Sequence, residues 1–225
     1  MAEIKPQKTE THYTRLTKGG NLINFPCDVT TPTEDLITAK LIFNSVLSTK
    51  NAKLLFADIA NFYLNNPMNR YEYMKLPLDI IPEEITQQYK LINLAHKGFV
   101  YMEIQKGMYG LPQAGNITND KLKLHLAKFG YESAPISSVL LRHKTLPLQF
   151  SLIVDDFGIK YERQEDIIHL LNALKTIYKL SEEWDGKLYC GLNLEWDYYE
   201  REVLVSMPNY VRPQYNFPSH SSDSL

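Results

Sequence analysis

Asp155 and Asp156 stand side by side between two β-prone apolar runs, in the stretch Phe150-Ser151-Leu152-Ile153-Val154-Asp155-Asp156-Phe157-Gly158-Ile159-Lys160-Tyr161. The pattern predicts a hairpin with buried flanks and two carboxylates at its tip. Adjacent carboxylates repel, so a fold that keeps them near its core offsets their charge with a cation. Oxygen ligands of negative charge suit Mg²⁺, with Mn²⁺ as the alternative. A bare Asp-Asp pair is more often an ordinary turn, because Asp is a common turn residue.

A third carboxylate changes that balance. Lys53-Leu54-Leu55-Phe56-Ala57-Asp58-Ile59 reads as a short buried strand ending in Asp58. A buried strand rarely tolerates an isolated carboxylate. If this strand neighbours the hairpin, Asp58, Asp155 and Asp156 form a ligand set for two divalent cations. Such ions stand about 3.5–4 Å apart and clamp the attacking and leaving oxygens of a phosphoryl displacement.

The elements that must position these carboxylates can be read in order. Thr31-Pro32-Thr33-Glu34 reads as a helix start, with Thr31 capping and Pro32 in the first helical position. Leu36, Ile37, Leu41, Phe43, Val46 and Leu47 supply that helix's apolar residues to about residue 48. Residues 67–113 are rich in Tyr, Pro and Gly, with β-prone pieces at Glu72–Leu76, Tyr89–Leu94 and Phe99–Ile104. A helix follows, bearing Leu122, Leu126 and Phe129 and stopping at Gly130. After the Asp-Asp hairpin, residues 164–179 form the clearest amphipathic helix. Lys187–Asp197 and Glu202–Met207 read as strands, and the tail from Pro208 has no pattern. Strands and helices do not alternate, so the fold class is α+β, an antiparallel sheet with helices on one face.

The chain has 225 residues, enough for one large domain or two lobes, and 44% hydrophobic content argues for a folded protein. The two cysteines, Cys27 and Cys190, have no metal or disulfide spacing, which fits a reducing, intracellular setting, cytoplasmic or nuclear. No run approaches a membrane span and the N-terminus shows no secretory signal. The net charge of −2 argues by itself against a nucleic-acid binder. Its distribution is uneven, with +4 over residues 97–144 (seven basic, three acidic) and −6 over 155–205 (six basic, twelve acidic).

Four blocks resemble the reverse transcriptase domain of copia-type LTR retrotransposons. They are Thr14-Arg15-Leu16-Thr17-Lys18-Gly19-Gly20, the run Phe56-Ala57-Asp58-Ile59-Ala60-Asn61-Phe62-Tyr63-Leu64-Asn65, Gly107-Met108-Tyr109-Gly110-Leu111-Pro112-Gln113-Ala114 and Ile153-Val154-Asp155-Asp156. They follow the family's order from about residue 8 to about residue 210. The resemblance implies a right-hand polymerase palm with partial fingers and a missing or incomplete thumb. Its divisions would be partial fingers at 1–33, first palm segment at 34–66, fingers at 67–115, second palm segment at 116–207, and the truncated start of a thumb or a disordered tail at 208–225. It implies an RNA-directed DNA polymerase that takes deoxynucleoside triphosphates on a primed RNA or DNA template, with two Mg²⁺ ions on Asp58, Asp155 and Asp156. Tyr63 would lie under the nucleotide sugar and exclude a 2′-hydroxyl. Gln113 would help hold the incoming nucleotide. Arg15 would contact triphosphate oxygens, with Lys18 assisting.

Three departures accompany the resemblance. Ile153 stands where the family usually has tyrosine, Phe157 where it often has an aliphatic residue or Met, and Ala60-Asn61 is a less polar variant. No ribonuclease H, integrase or protease segment is recognisable, so the chain reads as a polyprotein fragment whose partners include those missing segments. The rival expectation is a silent remnant that folds and at most binds nucleic acid or a protein.

Overall fold

The computed structural model describes residues 2–4, 12–14, 17, 19–20, 23–26, 36–135, 137–153 and 155–208. The expected helix start at Thr31–Glu34, Cys27, Arg15, Lys18 and the tail beyond Pro208 lie outside the described residues. In chain order the first elements are β1 (Ala2–Ile4), β2 (His12–Thr14), α1 (Leu36–Ser48), β3 (Lys53–Ile59), β4 (Pro67–Pro77), α2 (Glu83–Gln88), α3 (Leu91–Leu94) and β5 (Phe99–Lys106). They continue with α4 (Ala114–Ala127), β6 (Tyr131–Ala134), β7 (Ser137–His143), β8 (Leu148–Ile153), β9 (Asp156–Tyr161) and α5 (Gln164–Lys175). The last are β10 (Leu180–Glu183), β11 (Leu188–Tyr189), β12 (Leu192–Asp197) and β13 (Glu202–Ser206). The fold is mixed α+β with antiparallel sheets.

The chain divides into two compact units, Met1–Thr31 with Asn61–Leu122, and Pro32–Ala60 with Lys123–Leu225. The first holds the short β1–β2 pair and the β4–β5 ribbon, whose register runs from Pro77↔Phe99 to Glu72↔Ile104. Its small core joins Met68, Leu111 and Ala114 to the partly buried Ile23, Tyr63, Ile104, Met108 and Ile117. The Tyr89–Leu94 piece, expected as β, is instead a turn at Tyr89-Lys90 followed by the helix Leu91–Leu94. Glu83 and Glu84 favour the α2 N-terminus by charge, and Lys90 in left-handed conformation (φ 51°) separates α2 from α3. Local β preference gives way because Leu91 is the one apolar residue of α3 that is buried.

The second unit is built on a six-stranded antiparallel sheet of order β10-β3-β9-β8-β7-β6. Leu55, Ile59, Phe150, Leu152, Phe157 and Ile159 are all at most 2% exposed. Burying each such side chain stabilises the fold by roughly 2 kcal/mol. Alternation along β9 puts Phe157, Ile159 and Tyr161 on one face and Asp156, Gly158 and Lys160 on the other. The first face meets α5, since Phe157 packs on Phe150, Phe150 on Tyr131, and the Tyr131 hydroxyl bonds His169 of α5 at 2.8 Å. The second face meets α1, where Lys160 reaches Ser45 and Thr49. Helices therefore cover both faces, and the expectation of helices on one face is corrected. The physical reason is that β3 buries apolar residues of both alternating sets, Leu54 and Phe56 on one face and Leu55, Ala57 and Ile59 on the other, so each face needs a cover.

The buried face of α1 is Ala39, Ile42, Phe43 and Val46, an i, i+3, i+4, i+7 stripe. Ile37 and Leu41, expected inside, are 66% and 58% exposed. Phe43 sets the phase by packing edge-on against Tyr189 and Trp196, at 6.2 and 5.9 Å between ring centroids. A three-stranded sheet, β11-β12-β13, joins this cluster through Tyr189, Leu192 and Leu194. The single strand expected over Lys187–Asp197 is instead two strands joined at Cys190-Gly191, both with positive φ (48° and 83°). Such a pair is the backbone of a two-residue hairpin turn. Among the described residues no helix is long and apolar enough to cross a membrane.

Candidate active site

β3 and β9 are direct neighbours, and Asp58 is the register partner of Asp156. The β8–β9 hairpin closes with Ile153 opposite Asp156, which leaves Asp155 in the turn at its tip. The Ile59 amide donates to the Asp155 carbonyl at 3.0 Å, tying the tip to the end of β3. Beyond β3, the Ala60 amide donates to the Lys179 carbonyl at 2.9 Å, and Ser181 of β10 partners Asp58 from the other side. Three segments from distant parts of the chain thus fix the backbone that carries the three carboxylates. All three side chains are partly buried.

Their charges interact. The Asp156 carboxyl is pushed up from 3.8 to about 6, first by burial, then by the neighbouring charges of Asp155 and Asp58. A weak contact opposes the rise: the Cys190 thiol points to Asp156 Oδ2 with sulfur and oxygen 3.9 Å apart. The sequence reading gave Cys190 no role. No local signal in the sequence marks it, because the Cys190-Gly191 turn that brings it to Asp156 lies within an apparently continuous strand.

The position of that hairpin depends on Gly158. A Cβ on Gly158 would stand 3.0 Å from Ser151 Oγ and 3.0 Å from the Tyr189 hydroxyl. The missing side chain lets Tyr189 lie flat on Phe56, 4.5 Å between centroids and 11° between planes, with its hydroxyl 2.9 Å from Ser151 Oγ. Tyr189 is 3% exposed and immediately precedes Cys190.

Tyr63 and Gln113 belong to the first unit. Tyr63 opens a 3-10 turn (Tyr63–Asn65) and meets Tyr109 edge-on at 4.8 Å. Gly107 passes so close that a Cβ there would be 2.6 Å from the Tyr63 carbonyl oxygen, and the Gly107 amide donates to the Asn66 carbonyl at 2.8 Å. A Cβ on Gly20 would likewise collide with the Gly110 carbonyl. Gly20, Tyr63 and the Gly107–Gly110 stretch, residues of three of the four sequence blocks, therefore meet within this unit. Gln113 is 2% exposed, and its amide donates to Glu72 Oε1 at 3.3 Å. Its own Oε1 is buried and has no hydrogen-bond partner among the described residues. An orphaned buried acceptor costs about 1–3 kcal/mol, so it marks a place where a polar group could be received.

The all-oxygen, negatively charged donor set of Asp58, Asp155 and Asp156 is of the kind that suits Mg²⁺ or Mn²⁺. Among the described residues no group of three His, Cys, Asp or Glu side chains is gathered closely enough to hold a metal ion as it stands. The backbone thus assembles the trio, while the side chains leave the shell open. In comparisons with known proteins, no family model and no curated protein matches the chain.

Proposed function

We propose that the chain is the polymerase core of a copia-type reverse transcriptase, with the six-stranded sheet as its palm and the β4–β5 unit as part of its fingers. The observation that carries this reading is the pairing of Asp58 with Asp156 on neighbouring strands, with Asp155 at the adjoining tip. Carboxylates remote in sequence converge at one end of a sheet, which is the arrangement a two-metal nucleotidyl transfer requires. Asp58 and Asp155, supported by Asp156, would hold two divalent cations, which would supply charge neutralisation at the leaving pyrophosphate and lower the pKa of the primer 3′-hydroxyl. The Tyr63 ring bounds the sugar, the Gln113 amide receives a polar group of the nucleotide, and Arg15 with Lys18 takes the triphosphate. The strand pair supplies position and field, which is most of what phosphoryl transfer asks of a protein.

The open carboxylate shell favours a second reading, a fold that keeps the aspartates without using them. Primer extension by the purified chain on an RNA template, with deoxynucleotides and Mg²⁺, separates the two. Extension that disappears in Asp155→Asn supports the polymerase. A folded protein that neither extends nor binds Mn²⁺ supports the silent fold.

A further inference from the structure

We infer that a second site on the sheet unit binds the phosphate and base of a nucleotide carried on a single nucleic-acid strand. A cavity of about 350 Å³ lies between the α1–β3 turn and the β12–β13 loop, bounded by Thr49, Lys50, Lys53, Tyr198, Tyr199 and Arg201. Its volume is in the range of small-ligand pockets. Three of these residues are cationic and, among the described residues, no carboxylate lines the cavity. Two are tyrosines, one of them, Tyr199, 91% exposed. Cations beside flat aromatic faces are what a single strand requires, because phosphates take the charge and bases take the rings.

The site is held in shape. The Asp197 carboxylate accepts from the Tyr199 and Glu200 amides at 3.0 and 2.9 Å, which fixes the loop. The Leu54 amide approaches the Tyr198 hydroxyl at 3.5 Å and anchors that ring to β3. Arg201 sits in left-handed backbone at φ 58°, where Gly or Asn would be less strained. Local backbone preference therefore does not account for an arginine there.

Thr49 also meets a buried cation: Lys160 is 9% exposed and its Nζ donates to Thr49 Oγ1 and Ser45 Oγ, each at 2.7 Å. A hydroxyl that accepts from an ammonium keeps its own proton to donate, so Thr49 is prepared to meet an anion.

This site is separate from the carboxylates. Lys53 begins β3 and Asp58 lies five residues on, roughly 17 Å along an extended strand. It therefore stands or falls independently of polymerase activity.

The test is anisotropy of a fluorescein-labelled single-stranded DNA dodecamer with the full chain. The variants are Lys50→Glu with Arg201→Glu, Tyr199→Ala, and a charge-matched control, Lys128→Glu with Lys144→Glu. The double reversal at the cavity is expected to weaken binding about tenfold or more and flatten the salt dependence by about 1.4 in log–log slope. Tyr199→Ala is expected to weaken it about fivefold. Competition by AMP distinguishes a free nucleotide, which displaces the dodecamer, from a residue within a strand, which AMP does not displace. Equal affinity of the cavity variants and the unaltered chain, or an equal loss in the control, overturns the proposal.

Discussion

Asp58 and Asp156, 98 positions apart in the chain (156 − 58), face each other as register partners on the adjacent strands β3 and β9. Neither strand could keep its carboxylate partly buried by itself at low cost. Together with Asp155 they make a local excess of negative charge, and the following outcomes depend on it.

Asp155→Asn or Asp58→Asn should reduce primer extension by about a thousandfold or more while leaving circular dichroism unchanged, because a neutral amide is a poor ligand for a hard divalent ion. Extension at near-normal rate in either variant would remove these residues from the catalytic assignment.

Asp156 makes stability depend on pH. Its folded pKa, about 6, lies above its ordinary 3.8, so the folded state holds the proton more tightly than the unfolded chain does. The contribution is fully present below about pH 4 and is lost as pH rises through about 6. Asp156→Asn should therefore be the more stable protein at pH 8, by about 1 kcal/mol after allowance for solvent screening, and no more stable at pH 4. Thermal melts at the two pH values measure this. Mn²⁺ should raise the melting temperature of the unaltered chain at pH 8 and raise that of Asp156→Asn less.

Gly158→Ala should cost about 1–3 kcal/mol, because Tyr189 is held between Phe56 and Ser151 and has little room to retreat from a new methyl. Tyr189→Phe should cost about 1 kcal/mol through the lost Ser151 hydrogen bond. Urea denaturation reads both. A Gly158→Ala protein as stable as the unaltered one would show that the β11–β12 hairpin is not seated by this contact.

Lys160 is cationic and buried, and burial holds its pKa below the usual lysine value. A lowered folded pKa means that its charged form disfavours folding at neutral pH. Lys160→Met should raise stability at pH 7 by about 1 kcal/mol, with the gain shrinking as pH rises toward 10.5, where the unfolded lysine also loses its proton. A melting temperature lowered at pH 7 would show instead that the bonds to Ser45 and Thr49 outweigh the desolvation.

Tyr63→Val should lower discrimination against ribonucleotides by about a hundredfold without unfolding the chain, if the ring bounds the sugar as proposed. Single-nucleotide incorporation with dTTP and UTP measures the ratio. An unchanged ratio would leave Tyr63 as a packing residue against Tyr109 and Gly107.

The sequence by itself determined which segments become strands where hydrophobic runs are strong. Lys53–Ile59, the two strands around Asp155-Asp156 and the helix from residue 164 are each legible from period and apolar content. It also supplied the carboxylates and the requirement that Asp58 have company. Which strands lie side by side was decided by tertiary structure, since β3 reaches β9 only across about a hundred intervening positions, and no local pattern encodes that pairing. The same holds for the two-sided covering of the sheet and for the Cys190-Gly191 turn within an apparently continuous strand. Packing settled these features, because burying Tyr189, Phe43 and Phe56 together stabilises more than the local preferences of Ile37, Leu41 or Leu188 can oppose.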